Sequence, residues 1–142
     1  MQHAEALCGR TVLIVHEDPF RRDYLADVLR AAGATVAEPA CDADAARRRI
    51  GTTDADAMVL SRTTGGAATP ALLAAARAHD MVTLIVQLAA PVDGVDAGPG
   101  PSPGVAVLTA PYGGFQVADA LAGLLAAAGE RPRLCGPALR GH

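Results

Sequence analysis

The sequence predicts a doubly wound α/β domain built on a five-stranded parallel sheet. Two observations point there. Short apolar runs such as "TVLIV", "DAMVL" and "MVTLIVQL" read as strands buried on both faces. Segments with apolar residues at helical spacing separate most of them, so strand and helix alternate along the chain. That alternation requires parallel strands, helices on both faces and right-handed crossovers.

The first strand is Thr11–Val15. A helix follows from Phe20 to Ala32, with Phe20, Leu25, Val28 and Leu29 at helical spacing and Gly33 as the residue beyond its end. "ATVAEPA" is a short second strand. Asp42 caps a helix that runs to Ile50. The third strand is Asp56–Leu60. "TTGG", Thr63 to Gly66, lacks the lysine and the immediate helix start of a phosphate-cradling loop and reads as a flexible turn. Thr69 and Pro70 suit the cap and first position of a helix that reaches about His79. Met81–Leu88 is the fourth strand and Gly104–Ala110 the fifth. The last helix spans Phe115 to Ala127, closed by Gly129. Between the fourth and fifth strands, "AAPVDGVDAGPGPSPG" is too rich in Pro and Gly for a full helix. The helix at that crossover is expected to be short or missing, with Ala89–Gly104 as the most mobile internal segment. The domain is placed at residues 11–128, between an N-terminal tail at 1–10 and a C-terminal tail or truncated linker at 129–142.

Composition narrows the function. The chain has 142 residues, 51% of them hydrophobic, enough for one domain with a sizeable core. A net charge of −3 gives no general attraction to nucleic acid or to anionic membranes. The run Arg47-Arg48-Arg49 is expected to be a solvated helix face. No apolar run approaches the ~18 residues of a membrane-spanning helix, and the first ten residues lack the apolar core of a signal peptide. Cys8, Cys41 and Cys135 are widely spaced, without a CxxC pair, and are expected to be reduced thiols of a cytoplasmic protein.

In an open parallel sheet, chemistry gathers at the carboxyl ends of the strands. His16, Glu17 and Asp18 follow the first strand, Ser61 the third, and Gln87 lies at the end of the fourth. Thr109, Ala110, Pro111 and Tyr112 lie at or beyond the end of the fifth. His16 and Ser61 are 45 positions apart, Ser61 and Gln87 26, and Gln87 and Ala110 23. In order and spacing, "VLIV" before "HEDP", "DAMVLS" and "VAVLTAPYG" resemble a bacterial response-regulator receiver domain over about Arg10 to Ala127.

The resemblance implies a flavodoxin-like, receiver-type fold and a module that takes a phosphoryl group from a histidine kinase onto its own aspartate. It also places substitutions in the pocket. Ser61 stands at the phosphoacceptor position, His16 at the first of the paired acids, Glu17 at the second, Gln87 at the switch hydroxyl, Ala110 at the lysine and Val107 at the switch aromatic. Phosphoryl transfer needs an oxygen nucleophile, a carboxylate-held Mg²⁺ and a cation. With Glu17 and Asp18 as the weak metal candidates, Mg²⁺ binding is expected to be weak or absent, and no residue is assigned a catalytic role.

The expected function is therefore an atypical receiver domain that regulates by contact with a histidine kinase, an output domain or another signalling protein, without aspartyl phosphorylation and without direct nucleic-acid binding. Val107, Phe115, Ala118 and Leu121 are the expected contact face, and homodimer formation is left open. Two other readings stand beside it. One is a flavodoxin-like small-molecule binder, although Glu17 and Asp18 would repel the phosphate of a flavin at the first strand-helix loop. The other is a receiver phosphorylated at an unexpected residue, Asp18.

Overall fold

The computed structural model describes residues 7–87, 104–110 and 112–127. Five strands, β1 (Thr11–Val15), β2 (Thr35–Val36), β3 (Ala57–Ser61), β4 (Val82–Gln87) and β5 (Val105–Thr109), form one sheet in the order β2-β1-β3-β4-β5. Every pairing is parallel. The helices are α1 (Pro19–Ala31), α2 (Ala43–Thr52), α3 (Arg62–Gly65), α4 (Thr69–Ala78) and α5 (Gly114–Ala127). The expected sheet and its doubly wound order are present.

Strand periodicity divides the core in two. Successive side chains point to opposite faces. Val12 and Ile14 of β1 and Ala57 and Val59 of β3 join α1 and α5 in one cluster. Leu13, Val15, Met58 and Leu60 join α2 and α4 in the other. All five residues of β3 are buried, as a strand covered by helices on both faces must be.

Local chemistry sets the helix ends. The Asp18 carboxylate accepts the Phe20 amide at 3.0 Å, with Pro19 at the start of α1. The Asp42 carboxylate accepts the Ala45 amide at 2.7 Å. Gly33 follows α1 at φ +99°, where its missing Cβ avoids the backbone of Cys8.

Several boundaries differ from expectation. β2 is two residues long, and an isolated bridge from Val15 to Ala40 continues its line. Pro39 has no amide to donate, which interrupts the ladder between them. α2 continues two residues past Ile50 to Thr52. Within "TTGG", α3 and a 3-10 turn at Gly66–Ala68 replace the expected flexible turn. Thr69 is the first residue of α4 rather than its cap, Ala68 holds the cap position, and the buried Thr69 hydroxyl lacks a hydrogen-bond partner. Ser61 ends β3 rather than following it. Of the basic run, Arg49 pairs with Glu38 at 2.9 Å, while Arg47 and Arg48 are exposed.

Two expectations about the termini change as well. Leu7 is fully buried and its amide donates to the Ala32 carbonyl at 3.0 Å, so the packed unit reaches back ahead of Thr11. Cys8 is disulfide-bonded, whereas Cys41 is free and exposed. Of the Ala89–Gly104 crossover, all but Gly104 lies outside the described residues, as does the tail at 129–142, so the expectations of a short or missing helix and of high mobility there fall outside them as well. Among the described residues, no helix is long and apolar enough to cross a membrane.

Candidate functional site at the carboxyl edge of the sheet

Pairing brings the anticipated residues to one edge. Val15 is opposite Leu60, so His16 leaves β1 beside Ser61, the last residue of β3. Ser61 is opposite Val86 of β4, and Gln87 is opposite Thr109 of β5. The Ala110 amide donates to the Gln87 carbonyl at 2.8 Å, which keeps Ala110 at the same edge. Three strand spacings of ~4.8 Å separate β1 from β5, so the row spans about 14 Å. Ser61 is buried and His16 half-buried.

The first strand-helix loop is tightly bonded. His16 Nδ1 accepts the Asp18 amide at 3.1 Å, and Arg22 Nη1 donates to the His16 carbonyl at 3.2 Å. Burial holds the imidazole below its usual pKa, outweighing the nearby carboxylates of Glu17 and Asp18. The neutral ring is the form that can accept the amide. Glu17 faces α3. Its amide donates to Thr64 Oγ1 at 2.9 Å, and its carboxylate accepts the Thr64 hydroxyl. That hydroxyl lowers the Glu17 pKa most, because it favours the charged carboxylate.

A second network crosses the other strand ends. Arg62 Nε donates to Gln87 Oε1, and Gln87 Nε2 donates to Thr109 Oγ1 at 3.0 Å. Side chains from the ends of β3, β4 and β5 are thereby joined. The sequence reading missed Arg62, Thr64 and Arg22. It looked for a cation at position 110, whereas the guanidinium comes from the residue immediately after Ser61. The signal available in the sequence was that adjacency. The bond to Gln87, 25 positions away, depends on the β3–β4 register.

The expected contact face is only partly at the surface. Phe115 is 75% exposed and Val107 is half-buried. Leu121 is fully buried and Ala118 nearly so, because Val117, Ala118, Leu121 and Leu125 form the inward stripe of α5. These two residues belong to the core and leave the contact face. Tyr112 packs against the α1/α5 core cluster, and burial raises its phenol pKa. Among the described residues, no group of three or more His, Cys, Asp or Glu could hold a metal ion.

No protein-family model matches the chain, and no curated protein matches it by sequence. Solved structures do match. A response regulator receiver protein from Sinorhizobium medicae superposes with a TM-score of 0.70 at 19% identity, over 84% of this chain and 97% of that one. A response regulator from Thermotoga maritima gives 0.64 at 16% identity, over 82% and 98%. A response regulator receiver modulated diguanylate cyclase from Pelobacter carbinolicus gives 0.64 at 15%, over 84% and 95%. At these identities the likeness establishes architecture, and the chain has the flavodoxin-like fold of response regulator receiver domains.

Proposed function

We propose that the chain is an atypical receiver domain that signals through protein contact without forming an aspartyl phosphate. The observation that carries this is Ser61 as the last residue of β3, beside His16, at the place where the receiver resemblance calls for an aspartate. Ala110 leaves the lysine position without a cation. One cation at this edge, Arg62, is bonded to Gln87 and through it to Thr109. This network favours a constant arrangement of strand ends over one that responds to a phosphoryl group.

The donor set does not fit Mg²⁺. The ion takes near-octahedral oxygen ligands and sheds water reluctantly. Glu17 is engaged by Thr64, and Asp18 by the Phe20 amide that it caps. That capping bond also weighs against Asp18 as an alternative phosphoacceptor. No step of the proposed function passes through a metal, and no residue is assigned catalysis. The partner is a histidine kinase, an output domain or another signalling protein, met through a face that includes Phe115 and Val107.

Incubation with acetyl phosphate and Mg²⁺, followed by intact-mass spectrometry, tests the proposal. The expected result is an unchanged mass. An added phosphate that hydroxylamine removes would identify an acyl phosphate and overturn it.

A further inference from the structure

The chain has two Phe, two Tyr and no Trp. Phe20 and Tyr24 lie on α1, Tyr112 just before α5 and Phe115 in its first turn, so every aromatic ring belongs to one region. Phe20, Tyr24 and Phe115 are the large exposed apolar side chains among the described residues. Between α1 and α5 runs an apolar groove of about 450 Å³, lined by Tyr24, Val28 and Ala32 on one side and Gly114, Phe115 and Ala118 on the other. That volume is in the range of small-molecule sites. Polar groups gather where α5 begins. The Tyr24 hydroxyl lies over Gly114, 3.1 Å from where a Cβ would stand. Arg21 heads the row that Tyr24 and Val28 continue at helical spacing. Arg21 and Tyr24 both act electrostatically on the Tyr112 phenol, which puts the three groups together. Arg21 is exposed and makes no ion pair among the described residues. From Arg21 to Ala32 the helix rises about 16 Å, so the groove is elongated and its cation stands at one end.

We propose that this groove binds a free amphipathic carboxylate of the medium-chain fatty-acid class, with its head on Arg21 and its tail along Val28, Ala32 and Ala118. Charge and shape select this ligand. A guanidinium takes a carboxylate through two parallel hydrogen bonds, and the Tyr24 hydroxyl supplies a further donor at the same end. Away from that end the lining is apolar, so a second charge on the ligand would be desolvated without a partner. Ala32, Gly114 and Ala118 are small, which leaves a narrow floor for an alkyl chain, and Tyr24 and Phe115 close over its sides. The proposal stands independently of the signalling reading. Where both hold, the ligand covers Phe115 on the face offered to a partner.

The test titrates the full chain with octanoate, decanoate and dodecanoate below their micelle concentrations, followed by calorimetry and by amide NMR shifts. Shifts are expected across Arg21–Ala32 and Gly114–Ala118, with affinity rising about two- to fourfold per added methylene. Arg21→Gln should weaken decanoate about tenfold and leave 1-decanol, which has the same tail and no charge, unchanged. Phe115→Ala should weaken both ligands. Both side chains are exposed, so far-ultraviolet circular dichroism should match the wild type. Absent binding, shifts confined to other residues, or an Arg21→Gln variant that binds decanoate as the wild type does would overturn the proposal. Binding to phosphatidylglycerol vesicles but not to dissolved decanoate would assign the groove to a membrane surface and overturn it. Self-association that protects the groove and that decanoate leaves intact would assign it to a second copy and overturn it equally.

Discussion

At His16 one ring nitrogen serves either a proton or a backbone amide. Nδ1 accepts the Asp18 amide, and burial favours the neutral ring. With its pKa below the ordinary ~6.5, the folded state binds fewer protons than the unfolded state in that window, so stability falls with falling pH. The contribution is complete above about pH 6.5 and is lost as pH drops from there toward the folded-state value. Glu17, also lowered, loses its own contribution further down, below its ordinary 4.5. His16→Asn keeps an acceptor near the Nδ1 position and cannot be protonated. Urea titrations from pH 7.5 to 5 should show a shallower loss of stability for this variant than for the wild type. Equal slopes would mean that His16 does not carry the effect. The titratable character of His16 was legible in "HEDP", but the direction of its shift was not, because the balance of burial against Glu17, Asp18, Arg21 and Arg22 is set only by the folded loop.

At the scale of elements, α1 and α5 meet where Gly114 begins α5. A Cβ there would lie 2.6 Å from Val28 Cγ2 and 3.1 Å from the Tyr24 hydroxyl. Because Val28 is β-branched and stiff, the seam cannot yield cheaply. Gly114→Ala should therefore destabilise by about 1–3 kcal/mol, although alanine is the better helix former. Thermal unfolding measures this, and a stabilised variant would show that the seam is looser than described. The helices themselves were legible from spacing and caps, with Asp18 and Asp42 both capping. The inward face of α5 was misjudged. Ala, Leu and Val surround that helix almost completely, so periodicity alone left its buried stripe ambiguous, and docking on β4 and α1 chose Leu121 for the core.

Across the whole molecule the sheet separates two apolar layers, which are expected to unfold together as one small domain. Ile50 lies in the α2/α4 layer and Val117 in the α1/α5 layer. Ile50→Val should cost about 0.5–1.5 kcal/mol and Val117→Ala about 2 kcal/mol once the cavity is included. Lying on opposite faces, the two should add to within about 0.5 kcal/mol in the double variant, seen as a shifted urea midpoint with an unchanged slope. A larger discrepancy would reveal coupling through the sheet.

The sequence by itself determined the five strands, their parallel arrangement and the edge where His16, Ser61, Gln87 and Ala110 gather. Buried β-branched runs, caps and short connections are local signals, and parallel pairing follows from their order. The tertiary structure alone decided which side chains meet at that edge: Arg62 with Gln87, Thr64 with Glu17, and Asp18 turned toward its own helix rather than the pocket. It also drew Leu7 into the core and formed the groove beside Phe115. The physical reason is that a hydrogen bond between residues 25 or 47 positions apart depends on strand register and on the path of the intervening chain. Neither is carried by any one stretch of sequence.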